Sequence, residues 1–220
     1  MIKAVFVVVL VISSWTGFSQ NNKLGNNDPE AKAILDKVSS KFKTYKTVQA
    51  NFSLSVTNAD GKEQGSKKGV VYIKGPDYRV SISGQDIYSD GSNIWTFDKS
   101  AGEVQITKFD PTTNTITPQK MFTNFYDKDF LYKLNGETKR GSRTIQEIEL
   151  TPIDKTKTFF KVLVDIDKAS KNIVSTKLFE KNGNRYIYTV TGFKTNSDLP
   201  ASLFVFNTKD HPGVEVVDLR

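Results

Sequence analysis

The residues able to make or break bonds are few, and their spacing suits structure better than catalysis. The 220-residue chain has one histidine and no cysteine. His211 sits in a His-Pro-Gly turn with no H-E-x-x-H spacing around it, whereas a catalytic zinc site wants three protein ligands. No G-x-S-x-G elbow offers a serine nucleophile, and no glycine-rich loop is placed to cradle a phosphate at a helix start. Carboxylates are plentiful, but Asp60, Asp77, Asp90 and Asp110 stand beside Gly, Pro or Asn, where turn formation accounts for them. No pair is marked by spacing as the acid and base of a hydrolase. The expectation is a protein that is not an enzyme, with no catalytic residues, no metal site and no cofactor. What the chain does supply is apolar surface: 15 Phe and 8 Tyr, many of them in alternating patterns.

Those patterns name the elements that must position the aromatics. Val48, Ala50, Phe52, Leu54 and Val56 alternate with Gln49, Asn51, Ser53, Ser55 and Thr57, so one side of a strand is buried and the other wet. Val70 to Ile73, Tyr78 to Ile82, Ile94 to Phe97, Val104 to Ile106, Ile148 to Leu150, Phe160 to Ile166, Ile173 to Phe179 and Tyr186 to Val190 continue the rhythm. Leu203 to Phe206 reads as a short strand, and Val214 to Val217 follows the His211 turn. Asn58-Ala59-Asp60-Gly61, Lys74-Gly75-Pro76-Asp77, Asp90-Gly91 and Asn182-Gly183-Asn184 are turns, and links this short favour antiparallel hairpins. The count is ten to twelve strands.

One helix precedes them. Asp28 can cap it, with Pro29 at the first helical position. Ala31, Ile34, Leu35, Val38, Phe42 and Tyr45 fall on one stripe, opposite Lys32, Asp36, Lys37, Lys41 and Lys43. The helix is expected to end near Tyr45 or Lys46 and to cover the sheet that follows. A second interruption comes at about 110–128, where Met121, Phe122 and Phe125 take helical spacing after Pro118. This insert is either a lid over one end of the sheet or a connector with its own small core.

Residues 1–19 read as a secretory signal peptide: Lys3, an apolar run from Ala4 to Trp15, then Gly17, Phe18 and Ser19 before cleavage near Ser19 and Gln20. Residues 20–28 form a polar lead, and 29–220 make a single domain. The absence of cysteine removes disulfides and any lipidated cysteine. The formal net charge is +7, but the cations are scattered, so nucleic acid is not an expected partner. An exported monomer fits these features.

A sheet this large must curl or split, and curling protects its edges. The fold expected is mainly β: a single, unclosed antiparallel barrel under an N-terminal helix and a short helical lid. Its inner face would carry Phe52, Leu54, Tyr72, Tyr78 and Trp95, with Met121, Phe122 and Phe125 from the insert. Such a surface suits an acyl chain if it lines a cavity, and a solid core if it does not.

The ordered series of motifs resembles the LolA family of periplasmic lipoprotein carriers. The resemblance runs through Ile34-Leu35-Asp36-Lys37-Val38, Val48-Gln49-Ala50-Asn51-Phe52, Gly69 to Pro76 with Asp77-Tyr78-Arg79, Ser89-Asp90-Gly91, Ile94-Trp95, and Phe204-Val205-Phe206 with Pro212 to Val216. It implies a lidded half-barrel whose cavity shelters the acyl chains of a lipoprotein. Cargo would come from an inner-membrane ATP-driven complex and pass to an outer-membrane acceptor. A sensor or general lipid-binding module of the same fold, reading a hydrophobic peptide or lipid, is the alternative. The family carries an arginine before the second-strand proline, where it latches the lid. Here that position is Gly75, which leaves Lys74 and Arg79 as neighbouring latch candidates.

Overall fold

The computed structural model describes residues 27–110, 118 and 126–220. Helix α1 (Pro29–Lys43) forms where the sequence places it, and stops two residues short of Tyr45. Asp28 accepts from the amides of Glu30 and Ala31 at 2.8 and 3.4 Å, satisfying donors that a helix start leaves unpaired. Pro29 follows in the first turn, and Lys41 and Lys43 meet the negative end of the dipole in the last. Asp28 also accepts the Leu134 amide at 2.9 Å. It therefore caps the helix and ties it to a strand with one carboxylate. Those amides, Leu134 first, hold its pKa below the usual carboxylate value.

The described residues form one sheet of twelve strands. They are β1 (Val48–Thr57), β2 (Glu63–Lys74), β3 (Asp77–Ile82), β4 (Gln85–Ser89), β5 (Asn93–Asp98) and β6 (Glu103–Lys108). A four-residue helix, α2 (Tyr126–Asp129), precedes β7 (Phe130–Arg140), β8 (Arg143–Pro152), β9 (Phe159–Asp167), β10 (Ile173–Glu180), β11 (Arg185–Thr195) and β12 (Glu215–Asp218). Their spatial order is β12-β6-β5-β4-β3-β2-β1-β11-β10-β9-β8-β7, so β7 and β12 are the two edges and the barrel is unclosed.

The sheet curls around α1. Ala31, Ile34, Leu35 and Val38 pack with Tyr132, Ile148, Leu150, Val162 and Val164 of β7 to β9. Phe42 and the following Tyr45 pack with Val48, Ala50, Val71, Ile73 and Tyr78 of β1 to β3. Strands β9 and β2 are four spacings apart, roughly 19 Å in a flat sheet, while a helix is only about 10–12 Å wide. Contact on both sides requires the strands to bend toward it.

Two expectations need correction. The sheet is not wholly antiparallel, because β12 pairs β6 in parallel. Residues 203–206 are not a strand: Ala201–Phe204 is a 3-10 turn, with Phe204 and Phe206 buried and Val205 between them exposed. Strand β7 runs on through Asn135 to Arg140, a polar run at the sheet edge with no hydrophobic alternation. Among the described residues no helix is long and apolar enough to cross a membrane.

Candidate functional site

Residues paired directly across an antiparallel ladder share a face. Phe52 stands opposite Gly69 on β2 and Val190 on β11, and Gly69 opposite Ile82 on β3. Leu54 pairs with Tyr188, and Val56 with Tyr186. Tyr188 and Tyr186 in turn pair with Thr176 and Leu178. These side chains lie on the same face as Ala50 and Val71, which α1 covers. Beyond the helix the cover thins. Phe52, Leu54, Val56, Leu178, Tyr186, Tyr188 and Val190 are all only half-buried, forming a continuous apolar trough. Near its C-terminal end α1 packs closely, leaving a cleft of about 20 Å³ lined by Phe42, Tyr45, Ala50, Ile173 and Phe193.

The centre of the trough is fixed by a glycine. The Phe52 ring lies against Gly69, so closely that a Cβ there would collide with the ring and approach the Ser81 carbonyl oxygen to 2.7 Å. Only glycine lets that ring lie flat. The ring centroid is 6.2 Å from that of Tyr188, with the planes tilted by 50°. Loss of water around Tyr188 pushes its phenol pKa up, with Tyr186 and Glu180 adding to the effect.

The opposite face tells a different story. Tyr72 pairs with Arg79, Arg79 with Tyr88, Tyr88 with Trp95, and Trp95 with Ile106. Tyr72 is also opposite Gln49, the neighbour of Ala50, so this row points away from α1. Tyr88, Trp95, Phe97, Val104 and Ile106 pack there with Phe206. The segment after β11 forms the cover. Phe204 is 1% exposed. Phe206 lies 5.1 Å from Phe97 and 5.7 Å from Tyr88. The His211 ring stacks on Phe206 at 4.6 Å with planes 9° apart, so the single histidine is a packing group here.

A buried carboxylate ties the strands beneath that cover together. Asp86 is 2% exposed and accepts from Arg79 at 3.0 Å and from Ser81. Lys99 pairs with it at 2.8 Å, and the Tyr88 hydroxyl donates to it at 3.2 Å. Burial alone would raise the Asp86 pKa, but Lys99, Ser81 and Arg79 outweigh it and hold the pKa below the ordinary value. Arg79 also lies 4.6 Å over the Tyr88 ring.

The expected site residues therefore separate. Phe52, Leu54 and Tyr78 share the helix face, with Tyr78 6% exposed in the core at its base. Tyr72 and Trp95 belong to the back face, because each is an odd number of residues from its helix-face neighbour along a ladder that has no register shift there. Met121, Phe122 and Phe125 lie outside the described residues.

The latch candidates are also placed. Lys74 donates to the Leu199 carbonyl at 2.7 Å, and Arg79 is held by Asp86. Both serve the back face. Gly75 has φ +57° in the β2–β3 turn, a conformation in which arginine would be strained. The described end of the insert is tied elsewhere. The Tyr126 hydroxyl donates to Asp36 of α1 at 2.8 Å, and Lys32 pairs with Asp127 at 3.4 Å and Asp36 at 3.0 Å. Asp36 is held below its usual pKa by Lys32 and Tyr126. This anchor was beyond sequence reasoning, since it joins residues 90 apart through polar side chains with no motif. Among the described residues no cluster of three or more His, Cys, Asp or Glu is placed to hold a metal ion.

The comparisons with known proteins agree with this architecture. Residues 43–207 match the family described as "Outer membrane lipoprotein carrier protein LolA". The outer-membrane lipoprotein carrier protein of Legionella pneumophila is 22% identical over 217 residues, covering 96% of this chain and 97% of that one. An uncharacterized protein of Methanocaldococcus jannaschii is 28% identical over 180 residues, 76% of this chain, and the match spans 42% of that relative's length. Among solved structures, an uncharacterized conserved protein from Thermus thermophilus superposes with a TM-score of 0.59 at 15% identity, covering 86% of this chain and 99% of that one. The last of these is a likeness of fold.

Proposed function

The chain belongs to the LolA family of outer membrane lipoprotein carrier proteins, and from that premise we propose that it is a periplasmic carrier holding the acyl chains of a lipoprotein in the helix-face trough. The observation that supports this reading is the half-buried apolar row from Leu178 through Tyr186, Tyr188 and Val190 to Phe52, Leu54 and Val56. Aromatic and aliphatic groups left partly wet on the inner side of a curled sheet represent unspent hydrophobic surface. An acyl chain laid along them gains about 0.8 kcal/mol for each CH₂ withdrawn from water. A trough that stays open at one side can also release what it holds.

In this account the site does no chemistry. Phe52, seated on Gly69, and Tyr188 form the floor, with Leu54 and Val56 along it. Met121, Phe122 and Phe125 of the insert are proposed to close over the chain from the other side. At the described end of the insert, Tyr126 and Asp127 are held on α1, an attachment that stands in this proposal for the arginine absent at position 75. Loading from an inner-membrane ATP-driven complex and delivery to an outer-membrane acceptor follow from the family premise.

The test is intact mass spectrometry of the protein purified from its native envelope under non-denaturing conditions. The reading expects a lipoprotein bound one to one. Free phospholipid instead would replace it with general lipid shuttling. A consistently ligand-free protein, unable to take up an acylated peptide, would overturn both.

A further inference from the structure

The strand ends that frame the trough carry a second surface. Ile153 and Phe160 flank the β8–β9 connection and are 50% and 47% exposed, among the most exposed large apolar side chains of the described residues. Phe160 is not isolated. Its ring lies 6.2 Å from Phe179 of β10. Lys161 Nζ sits 4.5 Å over the Phe179 ring, and the Arg185 guanidinium 5.8 Å from it. The neighbouring turn joins the same patch: the Lys181 amide donates to the Thr158 carbonyl at 2.9 Å, and Lys181 Nζ reaches the Lys155 carbonyl at 2.5 Å.

Lys155, Lys157, Lys161, Lys181 and Arg185 thus surround two exposed apolar groups. None of the five forms an ion pair among the described residues, whereas Lys32, Lys99, Lys133 and Lys168 elsewhere on the molecule do. Asp154 and Glu180 are the acids of these two turns, and each already accepts from a neighbour, Thr156 and Asn182 respectively. The patch shares strand ends with the trough but lies on the outer face, since Lys161, Phe179, Arg185 and Thr57 form one cross-strand row a single residue away from Leu178, Tyr186 and Val56.

We infer that this rim docks on an anionic phospholipid surface, with Phe160 and Ile153 entering the headgroup boundary and the five cations meeting phosphates. Charge complementarity selects the occupant. The cations are mostly lysines on long stems, held at most by carbonyl oxygens or by the Phe179 ring, and they surround separate apolar tips. That arrangement suits the diffuse negative potential and shallow apolar depth of a bilayer interface. A protein partner would call instead for a packed apolar centre with a polar rim. The inference goes beyond the carrier reading and holds whatever the trough contains.

The test is co-sedimentation of the full protein with vesicles of mixed phosphatidylcholine and phosphatidylglycerol, against phosphatidylcholine alone. Binding is expected only to the mixed vesicles, weakening as salt rises. The triple variant K155E/K157E/K181E should bind about tenfold more weakly or worse. Phe160→Ser should bind several-fold more weakly with the salt dependence retained. An unchanged thermal transition in each variant shows that folding is intact. Equal binding to both vesicle types, or no effect of the charge reversal, would overturn the proposal. So would binding to soluble polyglutamate that equals vesicle binding and ignores Phe160, which would point to an acidic protein partner. Leu54→Glu separates this proposal from the carrier reading: it should weaken uptake of an acyl probe by about a hundredfold and leave vesicle docking intact.

Discussion

The two faces of the sheet are both aromatic and differently finished. The back face gathers Tyr88, Trp95, Phe97 and Phe206 under a covering segment, which the Lys74 bond to Leu199 fastens, while Asp86 ties Arg79, Ser81 and Lys99 together beneath it. The helix face gathers Phe52, Tyr186 and Tyr188, and α1 leaves them partly wet. Aromatic content therefore does not distinguish the two faces. What sets the helix face apart is that, among the described residues, α1 covers only part of the side chains that the pleat turns inward.

This contrast can be broken by mutation. The largest effect belongs to the sealed face. Phe204→Ala should cost about 3–5 kcal/mol, the usual penalty for emptying a buried aromatic site, while folded molecules still bind an acyl probe. Chemical denaturation with a parallel binding assay measures both. On the open face the pattern inverts. Leu54→Glu should weaken acyl binding by about a hundredfold, because it sets a charge against the chain, and should shift the denaturation midpoint little. A variant at Leu54 that loses stability and keeps binding would erase the distinction between the faces.

Gly69→Ala comes next. The added methyl displaces the Phe52 ring from its seat, so acyl affinity should fall about tenfold, equivalent to about 1.4 kcal/mol. Phe52→Leu in the same background should recover part of that loss, since a smaller side chain relieves the collision.

The smallest effect concerns pH. The folded-state pKa of Asp86 lies below its ordinary value, so its contribution to stability is present above pH 3.8 and is lost as pH falls through the folded pKa. Asp86→Asn should be the less stable protein at neutral pH, and the two stability curves should converge in acid. Thermal unfolding between neutral pH and about pH 3 measures this. Parallel curves would show that the carboxylate's charge does not hold the back face.

Much of this was legible in the chain. The alternation of Val48 to Thr57 gave β1, and Asp28-Pro29 gave the start of α1, because burial period and capping are local signals. The unclosed sheet followed from strand number. Face assignment was the failure. Tyr72 and Trp95 look as suitable as Phe52, but a side chain's face depends on the register between strands, and Tyr72 turns out to oppose Gln49. The joining of Phe52 to Val190 needed a register that shifts at Asn51, which nothing near residue 52 announces. Gly69 carried a usable clue: a glycine within a strand often marks a close approach, here that of an aromatic ring. The 3-10 turn at Ala201–Phe204 shares its apolar composition with a strand, and only its packing against β3 distinguishes it.

The most direct test of the trough is a chemical-shift titration of the isotope-labelled protein with a soluble diacylated lipopeptide. The account predicts that Phe52, Leu54, Val56, Tyr186 and Tyr188 move together with one saturating affinity, while the Trp95 indole and Phe206 stay in place. Shifts centred on Trp95 and Phe206, or none on either face, would contradict it.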